Sequence, residues 1–467
     1  MNIWKTVLYF IVVLVAAAAC PGCGDGSEPA DGADGDPALD DGRDGAEGDT
    51  AQEDGADLLD GDARPDDGVE EQAQDAPQDV DADEGGGGGM WVTGYYGEWQ
   101  IDMYPVENID WSALTHIVMH RVGPRGPAAP SENSPYSTIN SDYALGQWGP
   151  GGIIDFAARA SAGGVKTILG FGGSADHDGW VAAASDANRA QFVADILDAC
   201  EAWGYDGVDI DWEPVNPEDQ PQVVALAGEL RSAAPAGFII TVPTGVINTN
   251  FGMSEEEIAF WRAVEPNVDQ MSPMSYCGTG PWGGWVTWHF NPLFGQGPDH
   301  PVDVSSTMTY WADNVGIPRP KLGIGIGFYS MGVGSPVTGI LQDYAGAQVY
   351  SFDGSMRYGN VVRHFLDRGG ATRQWDDVSK VPYLSWPAPF QPTDTWTEQY
   401  GAGDEAPSVQ FLSYEDEQSI EEKGRWAREN DFGGCIIWTI NEGTAWPYGA
   451  DGYANPVLDA VKRAFID

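Results

Sequence analysis

The stretch Asp206-Gly207-Val208-Asp209-Ile210-Asp211-Trp212-Glu213 decides how this chain is read. Asp209, Asp211 and Glu213 are spaced two apart, and on a β-strand residues two apart project to one face. Val208 and Ile210 fall on the other face, so an exposed acidic strand end does not explain the pattern. If the strand belongs to a closed barrel, the carboxylates face its interior and climb toward the carboxyl-end mouth, where barrel enzymes carry their chemistry. Burying like charges together is costly. It also raises their proton affinity, which a general acid needs near neutral pH. Such carboxylates titrate as a coupled set. A metal cage would need further oxygen or His ligands nearby; none is evident, so neither a metal nor a cofactor is expected.

Working outward, eight short apolar, β-branched runs recur along the chain. They are Trp91–Tyr96, Thr115–Met119, Lys166–Phe171, Gly207–Asp211, Phe238–Val242, Asp269–Ser275, Lys321–Ile326 and Gly434–Thr439. Amphipathic stretches such as Arg189–Trp203 and Gln220–Ala233 lie between them. This alternation predicts an α/β protein, a (β/α)8 TIM barrel, over residues 90–467. The connection between the seventh and eighth runs is too long for a barrel loop. Residues from Gly332 to about Ser408 are expected to form an inserted small α+β lobe, about 332–408.

Upstream of Met90 the chain changes character. Lys5, the apolar run Val7–Ala19 and Ala17-Ala18-Ala19-Cys20 are similar to a bacterial lipoprotein signal, with residues 1–19 removed and lipidation at Cys20. An ordinary secretory signal and an uncleaved anchor are the alternatives. Residues 20–89 are rich in Asp, Glu, Gly, Ala and Pro, and nearly empty of aromatic and β-branched residues. Such a linker cannot bury enough apolar surface to offset its ordering entropy and is expected to be a disordered acidic tether. An exported lipoprotein at the cell envelope or cell surface follows, touching membrane only through its lipid anchor.

The 467 residues include 72 acidic and 22 basic ones, a formal net charge of -50. That field repels phosphate backbones and argues against nucleic acid. It tolerates a neutral polysaccharide. The 19 Trp and 18 Tyr suit sugar rings, whose apolar faces lie flat on aromatic side chains, although core packing claims many of them. Nothing in the sequence suggests oligomerisation, so a monomer is expected.

Asp206 to Glu213 matches the DGxDxDxE signature of the family 18 glycoside hydrolases, the chitinases and their relatives. Gly94-Tyr95-Tyr96 is similar to that family's first strand, Lys321–Tyr329 to its seventh and Gly433–Trp438 to its eighth. Ala371–Asp376 with Val381-Pro382-Tyr383 resembles the chitinase insertion domain. The resemblance implies hydrolysis of β-1,4-linked N-acetylglucosamine polymers, chitin or chito-oligosaccharides, by a retaining, substrate-assisted mechanism in which the N-acetyl oxygen attacks the anomeric carbon. It implies catalytic roles for Glu213 as acid and base, for Asp211 on the acetamide, for Asp209 behind Asp211, and for Tyr276 as an acetamide partner. It implies substrate contacts from Tyr95, Met274, Trp282 and Trp438.

Three positions depart from the family pattern. Cys277 follows Tyr276 where Asp or Asn is usual. Gly170 opens Gly170-Phe171-Gly172-Gly173 where Ser is usual, removing a hydroxyl expected to bond Asp209. Ser174 stands where Trp is common. Two rivals stay open: a non-catalytic chitin- or glycan-binding lectin, and an endo-β-N-acetylglucosaminidase or cell-wall glycan hydrolase on the same fold.

Overall fold

The computed structural model describes residues 89–281, 285–295, 302–351, 355–393, 406–444 and 453–467. The signal segment, Cys20 and the tether up to residue 88 lie outside the described residues.

All eight strand expectations meet observed strands: β1 Trp91–Gly97, β2 His116–Pro124, β3 Lys166–Gly173, β4 Gly207–Trp212, β5 Ile239–Thr244, β6 Gln270–Pro273, β7 Gly323–Gly327 and, after the inserted lobe, β13 Gly434–Trp438. They are parallel and neighbour one another in the order β6-β5-β4-β3-β2-β1-β13-β7. A parallel bridge from Met271 to Leu322 joins the two ends and closes the (β/α)8 barrel. The ring depends on its last strand. Gly434 to Ile437 pair with Trp91 to Gly94 on one side, and Gly434 to Trp438 pair with Gly323 to Gly327 on the other.

Helices cover the outside where apolar residues recur at helical spacing. Arg189–Trp203 buries Phe192, Val193, Ile196, Ala199, Cys200 and Trp203 against the barrel wall. Between β1 and β2 there is no α-helix. Three short 3-10 turns, Glu98–Gln100, Val106–Asn108 and Trp111–Ala113, make the crossover instead. Pro105 at the start of the second turn explains part of this, because proline disfavours helical backbone at the residue before it.

Period-two alternation orders the interior. At the closed end Thr93 donates to Gln270 at 2.8 Å, and the Gln270 amide nitrogen lies 3.4 Å from His116 Nδ1. Burial pushes His116 down to about 4 and keeps this plug neutral. Above it Tyr95, Val118, Ile168 and Ile436 form an apolar layer. The mouth lies above that.

The inserted lobe is a five-stranded antiparallel sheet: β8 Ser330–Val333, β9 Val349–Tyr350, β10 Gln374–Asp376, β11 Val381–Phe390 and β12 Val409–Tyr414, in the order β9-β8-β12-β11-β10. Its first and last strands extend past the 332–408 span read from sequence. They leave β7 after two residues and lead into the helix Glu417–Glu429, so the lobe grows directly from the barrel rim. Met356, Phe365, Leu384, Trp386, Val409 and Leu412 form one of its cores.

Candidate active site

Strand β4 places the three carboxylates at successive heights. Asp209 is fully buried and accepts two hydrogen bonds, from Tyr95 Oη at 2.9 Å and from the Thr241 hydroxyl. Burial, then the neighbouring Asp211, pushes its pKa up to about 8 against these two donors. Tyr95 is held well above its ordinary value, first by burial and then by Asp209 and Asp211.

Asp211 is the central member. Its backbone carbonyl accepts from the Trp180 indole at 3.2 Å, which fixes the strand end. Its side chain is nearly buried, and Oδ2 lies 3.4 Å from His120 Nε2. Oδ1 is buried and receives no N–H or hydroxyl donor among the described residues. Glu213 is pushed well above the usual carboxylate range, first by loss of water and then by Asp211, by its hydrogen bond to Asp211 and by Asp209. Crowding among like groups thus raises the proton affinity of the outermost carboxyl, where a bound glycosidic oxygen could take a proton from it.

Aromatic rings surround the row. Trp438 packs 5.5 Å from Tyr95 and 6.1 Å from Trp99, centroid to centroid, and both indoles are half-buried at the mouth. Met274 touches both the apolar layer holding Tyr95 and the cluster holding Tyr276. Tyr276 is buried, edge-on to Tyr329 at 5.9 Å, and within electrostatic reach of Tyr95. Glu213, Asp211, Asp209, Tyr95, Tyr276, Met274 and Trp438 therefore share one region. Trp282 lies outside the described residues.

The departure at Gly170 finds a local account. Gly170 pairs in register with Asp209 and His120. A Cβ at position 170 would meet Val118 Cγ1 at 2.9 Å and His120 Cδ2 at 3.1 Å, so His120 fills part of the space of the absent side chain. The hydroxyl that Ser would bring to Asp209 comes from Thr241 across the β4–β5 ladder. Gly172 adopts φ +90, and a Cβ there would overlap the Trp180 indole nitrogen and sit 2.5 Å from Asp211 O, so only glycine fits. Cys277 has φ 55, and its Sγ sits 3.3 Å from Tyr329 Oη.

Sequence reasoning missed Thr241, His120, Arg121 and Trp99. Thr241 was within reach, because the period that points Asp209 inward also points Thr241 inward. His120 and Arg121 were less accessible. Strand β2 carries a bulge, His120 pairing with Gly170 and Val122 with Phe171, which leaves Arg121 as an extra residue. A bulge re-aims side chains without altering composition.

Comparison with known proteins agrees with this fold. The model for glycosyl hydrolases family 18 matches residues 91–443. The chain belongs to that family. It is 27% identical over 325 residues to a probable endochitinase of Caenorhabditis elegans, covering 64% of this chain and 48% of that protein. It is 25% identical over 307 residues to chitinase A1 of Niallia circulans, covering 59% and 40%. It thus spans about half the length of these relatives or less. The fold is similar to that of a group IV chitinase of Ostrinia furnacalis in complex with allosamidin, at TM-score 0.62 and 21% identity over 80% of this chain and 98% of that one. A mutant class V chitinase from Nicotiana tobaccum in complex with NAG4 gives TM-score 0.61 and 17% identity over 81% and 99%.

Proposed function

We propose that this chain hydrolyses β-1,4-linked N-acetylglucosamine polymers, chitin or chito-oligosaccharides, with retention at the anomeric carbon and with the substrate's own acetamide as nucleophile. One observation carries the reading: Glu213 lies beside Asp211 at the barrel mouth, its proton affinity raised by loss of water and by Asp211, in a row whose deeper members are buried beneath it. Glu213 protonates the glycosidic oxygen as the acetamide oxygen attacks the anomeric carbon. Asp211 accepts the acetamide N–H and offsets the positive charge of the oxazolinium ion. Glu213, now a carboxylate, then takes a proton from the incoming water. Tyr276 is assigned to the acetamide, and Trp438, with Tyr95 and Met274 beside it, to the floor under the reacting sugar. The relatives' names and the allosamidin and NAG4 complexes of similar folds support this substrate class.

The test is cleavage of a chito-oligosaccharide series with the product anomer read by NMR. β-anomer as the first product supports the mechanism. Binding without turnover at high enzyme concentration replaces it with the lectin reading. Turnover only on N-glycans or cell-wall glycan replaces the substrate.

We further assign the chain to the cell envelope as a monomeric exported lipoprotein, anchored through Cys20 and spaced from the membrane by its acidic tether. The Ala17–Cys20 sequence supports this. Mass spectrometry of the mature N-terminus checks it: an acylated Cys20 is expected, and an unmodified N-terminus elsewhere refutes it.

A further inference from the structure

We propose that His120 is a positioning residue for Asp211, its Nε2 edge fixing Asp211 Oδ2 and with it the orientation of the carboxylate beside Glu213. This deepens the hydrolase reading and rests on it. Three geometric observations converge. The imidazole is 3% exposed, with Nε2 at an ion-pair separation of 3.4 Å from Asp211 Oδ2 rather than in an aligned hydrogen bond. The ring is clamped by Trp438 at 5.1 Å, Trp99 at 5.8 Å and Tyr95 at 6.0 Å, nearly perpendicular to Trp438 at 82°. A Cβ at Gly173, on the neighbouring strand, would lie 3.7 Å from His120 Cε1, 3.9 Å from Asp211 Oδ2 and 3.9 Å from Arg121 Nη1, so these groups crowd one point.

The placement has a local cause. His120 continues the inward series His116, Val118, His120 on β2. The absent side chain at Gly170 vacates space beside it, and the bulge after it turns the strand at this height. A histidine is not needed there for packing alone, because a ring without nitrogen would fill the same aromatic clamp.

The electrostatic need is specific. Asp209, Asp211 and Glu213 from β4 all face this region, with Tyr95 from β1. The nearest cation, Arg121, is already tied to Asp176 and to the Gly172 carbonyl. His120 is thus the ring nitrogen donor placed beside Asp211 Oδ2. With Oδ2 held, Asp211 cannot rotate freely. The carboxylate then stays where it shares the Glu213 proton and, after proton transfer, faces the acetamide. This contribution is felt in the charged intermediate more than in the ground state, so it belongs to kcat rather than KM.

Two variants separate donor from filler. His120→Gln keeps an N–H donor at about the position of Nε2. His120→Met keeps bulk and removes the donor. On chito-oligosaccharides, kcat is expected to fall about 30-fold in His120→Met and to stay within about fivefold of wild type in His120→Gln, with KM within about threefold in both. Equal kcat in the two variants overturns the proposal. A second readout does not need turnover. Two-bond 1H–15N spectra of the imidazole locate the ring proton in the wild type and in Asp211→Asn. A protonated Nε2 whose resonance moves in Asp211→Asn supports the proposal, and a bare Nε2 in the wild type overturns it. If the wild type hydrolyses none of these sugars, the function reading fails on its own while the spectra still decide His120.

Discussion

Glu213, partly exposed, and Glu415, buried, are two glutamates whose proton affinity is raised in different settings. At the barrel mouth Glu213 faces Asp211 and Asp209, so every close charged neighbour on its strand has its own sign. At the junction of lobe and barrel, Glu415 is 2% exposed and accepts from Lys423 Nζ at 2.5 Å and from the Ser419 hydroxyl. Burial raises both carboxyls. At Glu415, Lys423 and Ser419 pull it back; at Glu213 the neighbours push it further. An acid given a cation maintains the fold, and one given only carboxylates keeps a proton to transfer.

The sharpest way to break this contrast is Glu213→Gln, which should lower kcat about a thousandfold while leaving thermal stability unchanged or higher. Retained turnover would move the acid elsewhere. Lys423→Met is the mirror experiment. It strands Glu415 and should cost about 3–5 kcal/mol in urea unfolding. The double variant Glu415→Gln/Lys423→Met should recover most of that loss, and failure to recover would mean the pair contributes little through its charges.

Asp209 tests the same logic through pH. Its folded pKa of about 8 lies above the ordinary value of 3.8. The folded state therefore keeps a proton that the unfolded chain has already released by about pH 5. By linkage, this group's contribution to stability declines as pH rises from about 4 to about 8. Thermal melts should fall by roughly 5 °C more in the wild type than in Asp209→Asn between pH 5 and pH 8. Parallel curves would count against the raised pKa. The smallest effect is expected from Tyr95→Phe, which removes one donor to Asp209 and should cost about 1–2 kcal/mol, with kcat lowered up to about tenfold. An unchanged kcat would confine Tyr95 to packing.

The backbone plan was legible because its signals are local. Apolar runs of the right length and two clean helical faces were enough to set eight strands, and the acidic row carried its own direction through the period of two. What escaped depends on pairs of distant residues. Thr241 replaces a hydroxyl lost at Gly170, yet the two meet Asp209 only through the β3–β4–β5 register. His120 reaches Asp211 beside a bulge that no composition rule marks. The missing helix after β1 was hidden for a different reason, since Pro105 and short turn segments interrupt a stretch whose length would have accommodated one.

The barrel's closure has a consequence for how the chain is made. Strand β13 pairs with both β1 and β7, and Gly97 N donates to the Asn441 side chain, 344 residues further along the chain. At a synthesis rate of about 10 residues per second, roughly half a minute separates the emergence of the two partners. Throughout that interval β1 presents a bare hydrogen-bonding edge to whatever is near it. A chain ending before Gly434 keeps two such edges, on β1 and β7, and its expected fate is pairing with other chains. Quality control of this protein would then be decided at its final strand.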